Sequence, residues 1–217
     1  DGKKVPCRTN RSVVLSATMI IAAVNSKGGV GKTTLAVHLA VWLKLHGWHT
    51  VLVDCDAQRL SSWWLKTGDP ELETAVLDTP KRIDIELPKL KQKFDAVVVD
   101  APGGLGETTG AILAHADAAF IPTGPSNLEI QALSNSTHTL HEIQALRKGL
   151  PQTIVIPIRA VAGRKTTRHL MDKAKSFGFG ITKTALPYRE IYCQVSGLED
   201  QPPRVLWQLG RSKKVRD

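Results

Sequence analysis

The feature that most constrains the fold is a glycine-rich turn that joins an apolar run to a helical segment. The turn follows the apolar residues 20–24 and reads Lys27-Gly28-Gly29-Val30-Gly31-Lys32-Thr33-Thr34. In such a turn, successive backbone N–H groups and the positive end of the following helix converge on phosphate. Lys32 is expected at the β- and γ-phosphates, and the Thr33 hydroxyl is expected on Mg²⁺. The sequence therefore predicts that residues 27–34, the phosphate loop, bind a nucleoside triphosphate.

Apolar runs rich in Val, Ile and Ala recur along the chain without polar alternation. They occupy residues 20–24, 50–53, 96–99, 118–121 and 154–158. This composition is typical of strands that are buried on both faces. Helical patterns lie between them, at residues 33–46, 128–147 and 166–176. The alternation predicts an α/β fold with a doubly wound, mainly parallel sheet flanked by helices, and ligands beyond the carboxyl ends of the strands.

A chain of 217 residues has the size of one such domain. Residues 19–217 are interpreted as that domain, and residues 1–18 as an N-terminal extension or cloning remnant outside the fold. Basic residues before the first apolar run imitate a secretory signal. The run leads directly into the phosphate loop, however, and is shorter than the roughly 20 residues that cross a bilayer.

Carboxylates follow two further apolar runs. Asp54 and Asp56 come at the end of one, and Asp100 ends another and is followed by two glycines at 103–104. Carboxylates at strand ends can hold the waters of Mg²⁺ and orient an attacking water molecule. These residues are therefore expected to complete the site begun by the phosphate loop.

The phosphate loop departs from the commonest pattern because Ser26 stands where a glycine is usual and Lys27 follows it. The stretch KGGVGKTT resembles the deviant Walker motif of the ParA/MinD family, in particular the small ParA-type DNA partition ATPases. The resemblance implies ATP and Mg²⁺ as cofactors and hydrolysis of ATP to ADP and phosphate. It also implies that Lys27 reaches across an ATP-bound homodimer to the partner's phosphates, in a role like that of an arginine finger.

The resemblance further assigns roles to the surrounding residues. It implies catalytic roles for Lys27, Lys32 and Asp56, and places Thr33, Asp54 and Asp100 near the metal. Residues 186–192 are similar to the family's adenine-side segment, which implies that Pro187 and Arg189 lie near the base. Two positions differ from the family pattern: Ala57 replaces the usual proline, and residues 158–160 lack the asparagine that many members have there.

The formal net charge of +9 and pI near 9.6 favour a polyanionic partner. Positions three or four apart share a helix face, so clustered cations can bind one polyanion. DNA, RNA or an anionic membrane would each fit this charge. No helix-turn-helix or zinc-finger pattern occurs in the sequence, so sequence-specific recognition is not expected, and the family resemblance implies binding to DNA without sequence specificity. The candidate DNA-binding residues are Arg164, Lys165, Arg168, Lys173, Arg211, Lys213 and Lys214.

The predicted function is that of a ParA-type ATPase that positions plasmid, chromosome or other cargo. Its hydrolysis would be stimulated by a ParB-like or other adaptor protein, and the protein would be cytoplasmic and associated with the nucleoid. The alternative is a MinD-like regulator of cell division at the membrane surface, since the apolar residues 205–209 lie beside basic residues; so short a segment makes membrane contact the less favoured reading. A phosphotransferase or metal-cofactor-assembly relative would need an acceptor site or CxxC ligands, and the sequence has no CxxC.

The remaining notable residues are expected to be structural. Three widely spaced cysteines fit a reducing cytosol rather than a disulfide framework. Cys55 is expected to be a small buried residue. The tryptophan pair at 63–64 is assigned to packing.

Overall fold

The computed structural model describes residues 18–197 and 202–206, except for the side chain of Cys193. The strands are β1 (Met19–Ala23), β2 (Thr50–Asp54), β3 (Glu73–Val76), β4 (Ala96–Asp100), β5 (Ala118–Thr123), β6 (Gln152–Pro157) and β7 (Gly180–Ile181). The helices are α1 (Lys32–Leu45), α2 (Leu60–Gly68), α3 (Pro80–Lys93), α4 (Glu107–His115), α5 (Asn127–Leu146), α6 (Lys165–Ser176) and α7 (Ile191–Val195).

The strands form one sheet in the order β3-β2-β4-β1-β5-β6-β7. Each pairing between these strands is parallel. The predicted α/β class with a parallel sheet is therefore confirmed, as are the five predicted strands and three predicted helices. The edge strands β3 and β7, and helices α2, α3, α4 and α7, were not predicted.

The sheet separates two apolar cores. Alternate residues of β1 face opposite sides: Ile20 and Ala22 belong to one core, and Ile21 and Ala23 to the other. Helices α3 to α6 cover the first core, while α1 and α2 cover the second. Burial on both faces explains why the central strands are apolar at every position.

The strand order brings the site together. Strand β4 lies between β1 and β2, and Asp100 is in register with Ala23 on one side and Asp54 on the other. In a parallel sheet the carboxyl ends of neighbouring strands meet at one edge. The phosphate loop and both strand-end aspartates therefore lie side by side.

Candidate nucleotide-binding site

The phosphate loop is shaped by two glycines and anchored by one asparagine. Gly29 and Gly31 have φ angles of 70° and 83°, in the left-handed region that side chains with a Cβ rarely adopt. Asn25 donates to the carbonyl of Pro122 at 2.8 Å and accepts the N–H of Lys27 at 2.9 Å. The loop is thus fixed to the end of β5 and leads into the N-terminus of α1, where backbone N–H groups are free to bind an anion.

Lys32 lies under this loop. Its side chain is 8% exposed, and its Nζ donates to the carbonyl of Lys27 at 3.3 Å. Burial lowers the pKa of Lys32, and the negative charges of Asp100 and Asp56 oppose that shift. The amino group is therefore held inside the loop, where the sequence places the β- and γ-phosphates.

Asp100 supplies a buried carboxylate beside the loop. It is 1% exposed, and neither of its oxygens has a hydrogen bond of good geometry within the described residues. Burial raises the pKa of Asp100 to about 7; the nearby Thr33 and Ser61 hydroxyls favour the ionised form, whereas Asp54 adds to the increase. A buried acceptor without a partner is costly. Oxygen ligands suit Mg²⁺, so the chemistry of Thr33 and Asp100 is compatible with a magnesium site; their binding of the metal stays a prediction.

Asp54 and Asp56 differ in their surroundings. Asp54 is fully buried and accepts backbone N–H groups from Asp56 at 3.1 Å and Ser62 at 2.8 Å. Asp56 is partly exposed and accepts the N–H of Gln58 at 2.9 Å. The Asp54 carboxylate therefore secures the turn into α2. Its place near the metal, and the water-orienting role of Asp56, stay predictions.

A cavity of about 600 Å³ opens beside the phosphate loop. Pro187 and Arg189 both line this cavity, which we call the base-side cavity, together with Gly29, Val30 and Gly31 of the loop. Their contact with a base stays a prediction. The contribution of α1 to this cavity was not predicted, although side chains spaced at i, i+3, i+4 and i+7 lie on one face of a helix. The lining residues from that face are Leu35, His38, Leu39 and Trp42.

Two other residues near the site were missed. Glu129 is 6% exposed and forms an ion pair with Arg159, which also lines the base-side cavity. The sequence Ser126-Asn127-Leu128-Glu129 is a capping-box pattern, which could have revealed the first turn of α5 but not the pairing.

The candidate DNA-binding residues of α6 share one exposed surface. Thr167, Leu170 and Ala174 turn inward. The basic face consists of the exposed residues Arg164, Lys165, Arg168 and Lys173. Arg211, Lys213 and Lys214 lie outside the described residues, as do residues 1–17 of the predicted extension and residues 207–209 of the segment behind the membrane alternative.

The residues expected to be structural are placed as follows. Cys55 is buried and has no disulfide, and burial raises the pKa of its thiol far above the usual range. Trp64 is buried in the core, whereas Trp63 is half exposed. Within residues 18–197 and 202–206, no helix has the length and apolar character needed to cross a bilayer. The same residues contain no cluster of three or more His, Cys, Asp or Glu side chains suited to a metal.

Sequence comparison identifies relatives of this chain. Residues 21–197 match the family described as the CobQ/CobB/MinD/ParA nucleotide binding domain. The chain is 34% identical over 120 residues to Maintenance of carboxysome distribution protein A of Gloeobacter kilaueensis, and the match covers 55% of each chain. It is 30% identical over 178 residues to the protein of the same name from Halothiobacillus neapolitanus, covering 79% of this chain and 81% of the relative. The chain thus spans about half the length of the first relative and most of the second.

Solved structures share the fold. The ATP complex of a Cyanothece McdA variant has a TM-score of 0.72 at 17% identity, covering 89% of this chain and 91% of that one. Cobyrinic acid a,c-diamide synthase of Mycobacterium smegmatis, with ADP and magnesium bound, has a TM-score of 0.63 at 19% identity, covering 82% and 92%. The MinD cell division protein of Aquifex aeolicus has a TM-score of 0.64 at 19% identity, covering 85% and 87%.

Proposed function

Since the chain belongs to the CobQ/CobB/MinD/ParA family of nucleotide-binding domains, we propose that it is a Mg²⁺-dependent ATPase that positions cargo in the cell. In this proposal, residues 19–217 act as one domain that dimerises when ATP is bound and separates after hydrolysis to ADP and phosphate. The observation that carries the proposal is one loop with two lysines beside a buried carboxylate that has no hydrogen bond of good geometry among the described residues.

Each part of the site supports this assignment to ATP and Mg²⁺. The phosphate loop and Lys32 would hold the triphosphate, and the base-side cavity with Pro187 and Arg189 would accept the adenine. Thr33 and Asp100 would hold Mg²⁺, with Asp54 behind them. When bound, the metal would neutralise charge on the phosphate oxygens. Solved relatives with ATP, or with ADP and magnesium, support the same choice of ligands.

Lys27 would connect nucleotide binding to dimerisation. Its backbone is fixed on both sides, by Asn25 and by Lys32, whereas its side chain is only partly buried. From this position it would reach the terminal phosphate held by a partner subunit. Asp56, also partly exposed, would orient the attacking water. Charge placed before the reaction begins is an effective means of stabilising a phosphoryl-transfer transition state.

The cargo-positioning role draws on the relatives and on the basic face. Relatives are described as maintaining carboxysome distribution and as a chromosome-partitioning ATPase. The basic face would bind the DNA backbone without sequence preference, and would keep the ATP-bound dimer on the nucleoid in the cytoplasm. A ParB-like or other adaptor would stimulate hydrolysis and release the protein.

Three substitutions test the mechanism separately. Lys32→Ala is expected to abolish ATP binding. Lys27→Ala should bind ATP but lose hydrolysis, because the terminal phosphate lacks its second cation. Asp56→Ala should bind ATP and accumulate as a dimer because the attacking water is no longer oriented. The measurements are ATP affinity, light scattering with Mg-ATP, and phosphate release. Hydrolysis by Lys27→Ala at the parent rate, or a parent that stays monomeric with Mg-ATP, would contradict the proposal.

A further inference from the structure

The late segment, residues 202–206, forms part of the wall of the base-side cavity. Val205 is 3% exposed and lies in the apolar core that α1 and α2 cover. Leu206 follows it and lines the cavity, as do His38 of α1 and Tyr192 of α7. If the late segment moved away, one side of the cavity would therefore open to solvent.

Backbone hydrogen bonds fasten the late segment to three helices. The carbonyl of Arg204 accepts from Trp64 Nε1 of α2 at 2.7 Å, and its N–H donates to the carbonyl of Val195 in α7 at 2.9 Å. The N–H of Leu206 donates to His38 Nε2 of α1 at 3.4 Å. One of these bonds thus ends on a ring that can take up a proton.

The partners of His38 determine which ring nitrogen carries the hydrogen. His38 Nδ1 lies 2.8 Å from the carbonyl of Thr34, the last residue of the phosphate loop. A carbonyl only accepts and a backbone N–H only donates, so Nδ1 must carry the hydrogen and Nε2 must offer its lone pair. His38 is consequently neutral while Leu206 is bound to it.

The same ring connects three parts of the molecule. It contacts the phosphate loop through Thr34 and the late segment through Leu206. It also meets the Trp64 ring edge to face, with the ring centroids 5.5 Å apart. Since Trp64 itself binds the late segment, His38 lies where the phosphate loop, the cavity wall and α2 come together.

A proton on His38 would oppose this arrangement. It would sit on Nε2 and face the N–H of Leu206, so that two donors would meet. Burial lowers the pKa of His38, a shift that the hydrogen bond to Thr34 opposes. No Asp or Glu is among the described residues that line the cavity, so a charged ring would lack a counter-ion there. The other titratable side chains around it are Arg159, Tyr188, Arg189 and Tyr192 in the cavity wall, and Arg204 in the late segment.

The direction of the pH effect follows from this difference. Once released into water, the His38 ring would take up a proton near its ordinary pKa of about 6.5. With the late segment bound, it takes up a proton only at lower pH. The released state therefore binds more protons below about pH 6.5, and attachment of the segment weakens as the pH falls.

We propose that the late segment is a pH-sensitive cover of the base-side cavity, which neutral His38 holds in place. The cover and a nucleotide in the cavity stabilise each other, because coupling between two binding events is reciprocal. This coupling rests on the proposed function, since it takes the cavity as the site of the base. The contact between His38 and the late segment does not depend on that function.

His38→Leu tests this contact in the nucleotide-free protein. Leucine keeps an apolar side chain beside Trp64 but removes the acceptor, so protection of the Leu206 amide against hydrogen exchange should fall by about tenfold at neutral pH. The matched control is His46→Leu. His46 lies at the end of the same helix, its Nδ1 also contacts a carbonyl four residues earlier at 2.7 Å, and it is exposed. Parent-like protection of Leu206 in His38→Leu would overturn the inference.

His38→Gln separates the protonation of residue 38 from its packing. The glutamine oxygen can accept the N–H of Leu206 and does not titrate, so protection at pH 7.5 should stay within about threefold of the parent. At pH 5 the parent should lose about tenfold in protection of Leu206, and His38→Gln should not. Val98, buried in β4, reports unfolding of the whole protein and should respond equally in both. An equal loss at Leu206 in both proteins would show that His38 is not the switch.

Affinity for ADP connects the late segment to the nucleotide. At pH 7.5 we expect His38→Leu to bind ADP about threefold more weakly than the parent, and His38→Gln to bind it like the parent. If the parent binds ADP and His38→Leu binds it equally well, the segment does not cover the site, so the inference is wrong and the proposed function stands. If the parent binds no ADP, the proposed function and the coupling are both wrong, and the exchange measurements still decide whether His38 holds the late segment.

Discussion

The buried carboxyl of Asp100 makes the stability of the protein depend on pH. Burial, together with the charge of Asp54, raises its pKa to about 7, above the value of about 3.9 expected in the unfolded chain. Between about pH 4 and 7 the Asp100 carboxyl is therefore protonated in the folded protein and ionised in the unfolded chain. Stability from this group falls as pH rises through that window and is constant above it.

Asp100→Asn should consequently stabilise the Mg²⁺-free protein. We expect a gain in the free energy of unfolding on the order of 2 kcal/mol at pH 8 and a smaller gain at pH 5, because the cost of the buried charge grows over this range. Urea denaturation at both pH values measures the change. The exposed residue Asp172 provides a control, Asp172→Asn. Equal gains for Asp100→Asn at pH 5 and pH 8 would contradict the assignment.

The positions of individual site residues differ in how far they can be predicted from the sequence. Lys32 and Thr33 lie at the predicted junction of turn and helix because strand, turn and helix are contiguous, so the motif is local; their contacts with phosphate and Mg²⁺ stay predictions. Glu129 and Arg159 meet across 30 residues of sequence, a separation that no local sequence pattern spans. Asp54 shows the same limit. Its two acceptor bonds depend on the start of α2, which was not predicted.

At the scale of an element, α2 begins without a capping side chain of its own. Its N-cap residue, Arg59, has a φ of 53° and makes no side-chain cap. Asp54, at the end of β2, instead accepts the N–H of Ser62. The first turn of α2 thus depends on a carboxylate from a neighbouring strand, which also fixes Asp56 through its backbone N–H.

Asp54→Ala is expected to destabilise the protein by about 2 kcal/mol, because two backbone N–H groups lose their acceptor. Chemical denaturation measures the loss. Hydrogen exchange should show it concentrated in residues 56–65. Asp69→Ala is the comparison, since Asp69 follows α2 and accepts from Lys44 at a partly exposed position. Unchanged exchange at Ser62 in Asp54→Ala would contradict the capping role.

Central elements were predictable from the sequence, whereas peripheral ones were not. The strands at the centre are apolar throughout because both faces are buried. Strand β3 has four residues and two of them are exposed. It therefore shows neither the continuous apolar run of a strand buried on both faces nor the apolar–polar alternation of a half-buried strand. Helix α3 buries only Ile83 and Leu87 and contains Pro88, which reads as a helix breaker. Capping by Thr79 and the proline at its first position are the signals that could have located its start.

At the scale of the whole molecule, the late segment 202–206 packs onto the first helices. Trp64 Nε1 donates to the carbonyl of Arg204 at 2.7 Å, and the N–H of Leu206 donates to His38 Nε2 at 3.4 Å. Val205 is buried in the same core as Trp64. The segment therefore closes one core and borders the base-side cavity.

Trp64→Phe removes the hydrogen bond and keeps an aromatic ring. We expect a loss of about 1 kcal/mol in the free energy of unfolding and faster limited proteolysis near residues 202–206, because the segment loses its tether. Trp63→Phe, at a half-exposed position, should change neither. Identical proteolysis of the parent and Trp64→Phe would show that the hydrogen bond does not hold the segment.

In the proposed function, DNA binding would be a property of the assembled dimer, which would present two basic faces. Arg164→Ala combined with Arg168→Ala should weaken retention on DNA in Mg-ATP and reduce the slope of log affinity against log salt by about 2 per protomer. A control pair, Lys66→Ala with Lys81→Ala, removes the same charge from exposed positions on other helices. Equal effects of the two pairs would indicate that net charge, not the basic face, governs binding.

The placement of β4 between β1 and β2 has a consequence for communication. The turns that follow these strands are distant along the chain, yet each is separated from the next by a single strand spacing of about 4.8 Å. A rearrangement of one turn reaches the neighbouring turn across the peptide groups of a single strand, not through a long series of contacts. The effect of ligand binding or release therefore passes between these turns without a separate chain of contacting residues.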